Sequence, residues 1–99
     1  MKTVYEWDEE KNLYNIAKHG IDFAVAKRIF EEAIITKADT RRDYGEPRFV
    51  SIGTIGDSVV VVVVYTQRNN HVRLISARRA SRQERMLYNV ALQKTDDNE

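Results

Sequence analysis

Six consecutive valines, Val59 to Val64, constrain this chain more than any other feature. A β-branched run of that length disfavours helix, is far too short to cross a bilayer, and is too apolar for a strand with one face in water. It reads as a strand covered on both faces, with helices on one side and further chain on the other, and so as the centre of a sheet. Strand-like segments flank it, so that Arg48 to Gly53, Ser58 to Thr66 and His71 to Ala77 follow one another. The connections between them, Thr54-Ile55-Gly56-Asp57 and Gln67-Arg68-Asn69-Asn70, are short enough to imply an antiparallel meander.

Helix signals surround this meander. Val4 to Trp7 alternates as a short strand that stops at Asp8, a good N-cap, and the helix that follows carries Leu13, Ile16 and Ala17 at core-facing spacing. Lys18-His19-Gly20 closes it, with cations at the negative helix end and a glycine free to adopt positive φ. Asp22 caps a second helix whose apolar stripe is Phe23, Ala26, Ile29, Phe30 and Ala33. Ile34-Ile35-Thr36 is a short β-like piece, and Asp39 to Glu46 is a charged, exposed loop with its turn at Gly45. Ser81 and Glu84 form the S-x-x-E capping pattern that opens a last helix through Met86, Leu87, Val90 and Ala91. The fold expected is α+β: a small antiparallel sheet with two N-terminal helices and one C-terminal helix packed on it, one domain over 1–94 and a polar, acidic tail over 95–99.

Composition narrows the function. At 99 residues there is one core, and the absence of cysteine removes disulfides, thiolate nucleophiles and cysteine-ligated zinc, as is usual in a reducing cytoplasm. No segment has the length of a membrane span or the apolar core of a signal peptide, so a cytoplasmic location without membrane contact is expected. There is no P-loop, G-x-G-x-x-G or H-E-x-x-H motif, no clustered carboxylate site for Mg²⁺, and the two histidines are far apart, so neither cofactor nor metal is expected. The formal net charge of +1 conceals a local excess: Arg73, Arg78, Arg79, Arg82 and Arg85 fall within thirteen residues, while Asp96, Asp97 and Glu99 end the chain.

That basic run passes from the last strand into the N-terminus of the last helix, where fork-shaped guanidinium donors stand beside free backbone N–H groups. It points to an anionic partner, and charge alone does not choose among RNA, DNA and an acidic protein. Simple alternation places Arg73 and Ile75 on one face of the last strand and Val72, Leu74 and Ser76 on the other. Cleaving RNA without a metal needs a base for the ribose 2′-OH, an acid for the leaving 5′-oxygen and cations for the phosphorane. Lys18 and His19 would suit the last two roles, although capping the helix explains them equally well. His71 reads as a solvated turn residue, and Trp7, Tyr5, Phe23, Phe30 and Phe49 as core. Tyr44, in the charged loop, is placed to stack on a base or donate a hydrogen bond, and Glu46 and Arg48, around the single proline, read either as a surface pair or as part of a cleft.

The spacing W-D-x-x-K-x-x-x-N-x-x-K-H-G from Trp7 to Gly20, with I-S-A-R-x-A-x-x-x-E-R-x-x-Y from Ile75 to Tyr88, resembles the BrnT family of toxins. Gly45-Glu46, Arg48-Phe49 and Gly53 extend the likeness, whereas Ala24-Val25 stand where such toxins commonly carry an acidic residue. The resemblance implies a RelE-like fold and a ribonuclease that stops translation as the toxin of a type II toxin–antitoxin system. It implies neutralisation by a BrnA-like antitoxin and contact with operator DNA only through that antitoxin. It also implies an RNA-cleaving surface with Lys18, His19, Arg48 and Arg78 as catalytic groups and Arg73, Arg79, Arg82 and Tyr88 as RNA-binding groups. The alternative is a non-catalytic module that docks an antitoxin or a DNA-binding partner.

Overall fold

The structure, a computed structural model, describes residues 2–56 and 58–97, with side chains to residue 94. Asp57 of the expected turn and residues 98–99 of the expected tail lie outside the described residues. The elements in order are β1 (Val4–Glu6), α1 (Glu9–His19), α2 (Phe23–Ala26), a 3-10 turn (Lys27–Glu31), β2 (Ile35–Ala38), β3 (Arg48–Ile55), β4 (Val59–Arg68), β5 (His71–Arg79) and α3 (Arg82–Asp97). They build one five-stranded sheet in the order β1-β5-β4-β3-β2, with the valine strand β4 at its centre.

The sheet is mixed, which corrects the antiparallel expectation. β2 to β5 form the antiparallel meander, but β1 joins the outer edge of β5 in parallel, with Glu6 opposite Arg73. β1 and β2 lie at opposite edges of the sheet and run in opposite directions, with α1 and α2 carrying the chain from one edge to the other. The N-terminus is tied to the β4–β5 turn, where Val4 N–H donates to Asn70 O (2.7 Å) and Asn70 Nδ2 donates to Lys2 O (2.9 Å).

One sheet face carries the main core. Val61, Val63, Tyr65, Val72, Leu74 and Ala77 pack there against Phe23, Ala26 and Ile29, with Tyr5, Trp7, Phe30 and Phe49 around them. The aromatic contacts confirm those residues as core: Trp7 meets Phe23 edge-on at 6.1 Å, and Phe30 meets Tyr65 at 5.1 Å. At Gly53 a Cβ would lie 2.8 Å from Ile29 Cβ and 2.9 Å from Ile34 Cγ2, so only glycine lets the 3-10 turn reach the sheet. The second helix is accordingly shorter than its stripe predicts. One α-turn gives way to a 3-10 turn that buries Ile29 and leaves Ala33 exposed.

The first helix has the larger correction. Its buried residues are Asn12 and Asn15, while Leu13, Tyr14 and Ile16 are 60%, 68% and 36% exposed. The cause is the edge of β5. β1 covers only His71 to Arg73, so the peptide groups of Ala77 face outward without a neighbouring strand. Asn15 substitutes for one: its Nδ2 donates to Ala77 O (2.8 Å) and to Ile21 O (2.9 Å), and its Oδ1 accepts from Ala77 N–H (3.1 Å). Asn12 similarly accepts from Phe23 N–H (2.9 Å) and donates to Asp22 (3.1 Å), fixing the start of α2. The caps form as the sequence predicts, with Asp8 accepting from Glu10 and Lys11 N–H, and Gly20 at φ 75°.

α3 lies over the opposite sheet face. Ser81 and Glu84 form the reciprocal capping box, with Ser81 N–H donating to Glu84 (2.8 Å) and Glu84 N–H to Ser81 Oγ (3.2 Å). Tyr88 is 2% exposed and its hydroxyl donates to Ala33 O (2.6 Å). Through this bond Tyr88 anchors α3 to the segment that precedes β2. The helix backbone continues to Asp97, through the first residues of the expected tail.

Candidate functional site

A β-bulge decides which side chains share a surface. Between Leu74, opposite Tyr65, and Ser76, opposite Val64, the residue Ile75 has no partner, so alternation along β5 changes phase there. Simple alternation would separate Arg73 from Ser76 and Arg78. The observed register instead places all three on the face opposite the main core. Across the sheet, Arg78 stands level with Val62 and Ile52, Ser76 with Val64, Val50 and Lys37, and Arg73 with Glu6, Thr66 and Arg48. From Val62 to Thr66 is four residues of β4, so the arginine pairing of this face extends about 13 Å at the usual strand rise.

Glu84 holds one end of this row. Arg78 Nη1 and Nη2 donate to its two oxygens at 2.8 and 2.9 Å, and Nη1 also reaches Arg79 O (3.3 Å). With two bonds to one carboxylate the guanidinium plane is fixed, yet the Arg78 side chain is still 44% exposed. Hydrogen bonding to Arg78, assisted by Ser81 and opposed by partial burial, holds the Glu84 carboxyl at about 2. The same bond raises Arg78 above the usual arginine range, against burial and the nearby positive charge of Arg41.

Arg41 is a cation that nothing in the sequence singles out. Its Nε and Nη2 donate to the Asp39 carboxylate, both at 2.8 Å, which holds Asp39 at about 2 with its side chain 1% exposed. This pair pins the base of the 39–46 loop and brings Arg41 toward Arg78; an Asp-x-Arg spacing carries no sequence signal of that approach. At the row's other end Arg48 lies over the Tyr44 ring at 3.8 Å, and its Nε is buried without a partner among the described residues. Tyr44, expected to be available for stacking, therefore already carries a guanidinium on one face.

The remaining expected residues divide. Register places Arg79 with Val61 and Gly53, on the side opposite Arg78, and Arg82 is exposed in the first turn of α3. Lys18 is exposed, with Nζ 5.9 Å from the Tyr14 ring, and His19 is half-buried. No hydrogen bond or ion pair among the described residues joins either to the arginines. They are nonetheless near the same end of the sheet: Asn15 is bonded to Ala77, next to Arg78, and Lys18 and His19 follow about one helical turn later. Among the described residues no three His, Asp or Glu side chains gather as a metal site, and no helix is long and apolar enough to cross a membrane.

A mixed five-stranded sheet with helices packed on it and an arginine row on one face defines a small α+β domain. The family model described as the ribonuclease toxin BrnT of type II toxin–antitoxin systems matches residues 7–84, and the chain belongs to that family of ribonuclease toxins. Among solved structures it is similar to the Brucella abortus ribonuclease toxin BrnT, determined at 1.1 Å. The two are 27% identical with a TM-score of 0.60, over 83% of this chain and 100% of that one. Comparison with curated proteins gave no match.

Proposed function

We propose that this chain is a metal-independent endoribonuclease that arrests translation, and that its substrate lies along the sheet face carrying Arg78, Lys37, Arg48 and Arg73. The observation that carries this reading is the bulge at Ile75, which turns Arg78 to the face of Arg73, the same face on which the register of β2 to β4 sets Lys37 and Arg48. Arg78, oriented by Glu84 and still exposed, holds the scissile phosphate and offsets the charge of the phosphorane. Lys18 and His19 approach from the end of α1 and supply a second cation and the proton for the leaving 5′-oxygen. Arg79 and Arg82 meet flanking phosphates outside the row.

The partner in this reading is a BrnA-like antitoxin, and operator DNA is reached only through it. Two apolar strips support a protein partner. α3 exposes Met86 (59%), Leu87 (63%) and Val90 (48%) beside Arg82 and Lys94, and α1 exposes Leu13 and Tyr14. A RelE-like ancestry is consistent with the meander and its C-terminal helix. The test is induced expression of the chain alone, following growth and total RNA. Growth arrest with RNA cleavage, relieved by Arg78→Ala and separately by the antitoxin, is the expected outcome. Normal growth with intact RNA would refute the reading.

A further inference from the structure

We propose that the cleft at the β4–β5 turn is a guanine-selective nucleotide subsite; this rests on the reading of the arginine face as the RNA surface. The cleft has a volume of about 280 Å³ and is lined by Glu6, Glu46, Thr66, Arg68, Asn69, His71 and Arg73. Three separate parts of the chain bring these residues together. The parallel addition of β1 sets Glu6 level with Arg73 and Thr66, the loop before β3 contributes Glu46, and the tight turn through Asn69, at φ 56°, sets His71 level with Arg68.

The chemistry of the lining is unusual for a surface that merely solvates itself. Two carboxylates, two guanidinium groups and an imidazole face one space, yet among the described residues none of these side chains makes a hydrogen bond or an ion pair. The cleft therefore presents open acceptors and open donors side by side. Guanine is the base that answers both. Its N1–H and N2–H₂ form adjacent donors for one carboxylate, and its O6 and N7 accept from arginine. Adenine offers an acceptor at N1 where guanine has a donor, cytosine turns its N3 lone pair on the carboxylate, and uracil has a single N–H. Single-stranded RNA, with unstacked bases, is the form of nucleic acid that exposes those edges.

Position fits the same substrate. The cleft continues the arginine row, adjoining Arg48 through Thr66, and lies about 13 Å along β4 from the level of Arg78. A strand whose phosphate rests at Arg78 thus runs across Val64 and Ser76 and delivers a base a short distance along the chain into the cleft. Glu6, Glu46 and His71 then act as specificity-determining residues.

The experiment measures binding without chemistry. Hexanucleotides with 2′-O-methyl riboses cannot be cut; one set carries a single guanosine in a uridine background, the other a single adenosine, and fluorescence anisotropy gives the affinity of the full chain for each. The expected preference for guanosine is about tenfold, within the range of one bidentate base contact. In Glu6→Gln/Glu46→Gln, two exposed substitutions, the ratio is expected to fall below about threefold. Equal affinities in the wild type, or a ratio unchanged in the double variant, would overturn the subsite. Cleavage of unmodified RNA, measured alongside, separates the two readings: a retained ratio without cleavage keeps the subsite and removes the nuclease, and cleavage without a ratio does the reverse.

Discussion

Exchanging the polarity of α1 tests its inside-out packing. Asn15 is 4% exposed and satisfies three backbone groups, Ala77 N–H, Ala77 O and Ile21 O. Asn15→Leu is close in volume and raises the hydrophobicity of the helix, yet it leaves those groups in an apolar setting. An orphaned buried backbone group costs about 1–3 kcal/mol, and the added apolar burial returns about 1–2 kcal/mol. The net loss is about 3 kcal/mol, a large share of the roughly 5–15 kcal/mol that holds a domain together. Leu13→Asn is the counterpart: at 60% exposure it is expected to change stability by less than about 0.5 kcal/mol. Urea unfolding followed by far-ultraviolet circular dichroism measures both. With a slope of roughly 1–2 kcal/mol per molar, Asn15→Leu should lower the midpoint by about 2 M and Leu13→Asn should barely move it. If Leu13→Asn proved the more damaging of the two, α1 would have to pack with its leucine face inward, and the reasoning from the Ala77 edge would fail.

Gly53→Ala forces a Cβ against Ile29 and Ile34, and overpacking of about 1–3 kcal/mol should lower the melting temperature by about 5–20 °C in a thermal scan. Glu84 has its folded pKa, about 2, below the ordinary 4.5, so its contribution is fully present above about pH 4.5 and is lost as pH falls toward 2. With its side chain 25% exposed, that contribution is about 1–2 kcal/mol, and Glu84→Gln should flatten the acid limb of a stability-against-pH curve in that window. Four cations on one RNA face imply a slope of about −3 in log affinity against log salt, so binding of the 2′-O-methyl probes should weaken roughly fiftyfold between 50 and 200 mM. A slope near zero would remove the face as the RNA surface.

The local signals in the sequence were faithful. Asp8, Gly20 and the Ser81–Glu84 box end their helices where capping chemistry places them, and the valine run lies at the sheet's centre. What the sequence did not disclose was decided between distant segments. β1 pairs with a strand 67 residues later, and its short reach exposes the Ala77 peptide that draws Asn15 inward. Hydropathy ranks Leu13 and Ile16 above Asn15 for burial because it cannot see that a backbone edge needs an amide. The bulge at Ile75 has no glycine to mark it, so Arg78 could be picked out for its charge but not placed beside Arg73 and Arg48. The burial of Tyr88, with its hydroxyl on Ala33 O, likewise joins segments 55 residues apart, which neither charge nor spacing foretells.

The amide of Asn15 has a consequence for assembly. A sheet with two bare margins can be extended at both and so grow without limit, which is the route to fibres. Here both margins are short: β1 has three residues, and β2 has four, with Thr36, Lys37 and Ala38 exposed. The stretch of β5 that β1 leaves uncovered is closed at Ala77 by a side-chain mimic of a peptide. Margins of three and four residues, one of them carrying a lysine, give an added strand little to pair with, so growth by edge-to-edge pairing is blunted at both ends of the sheet.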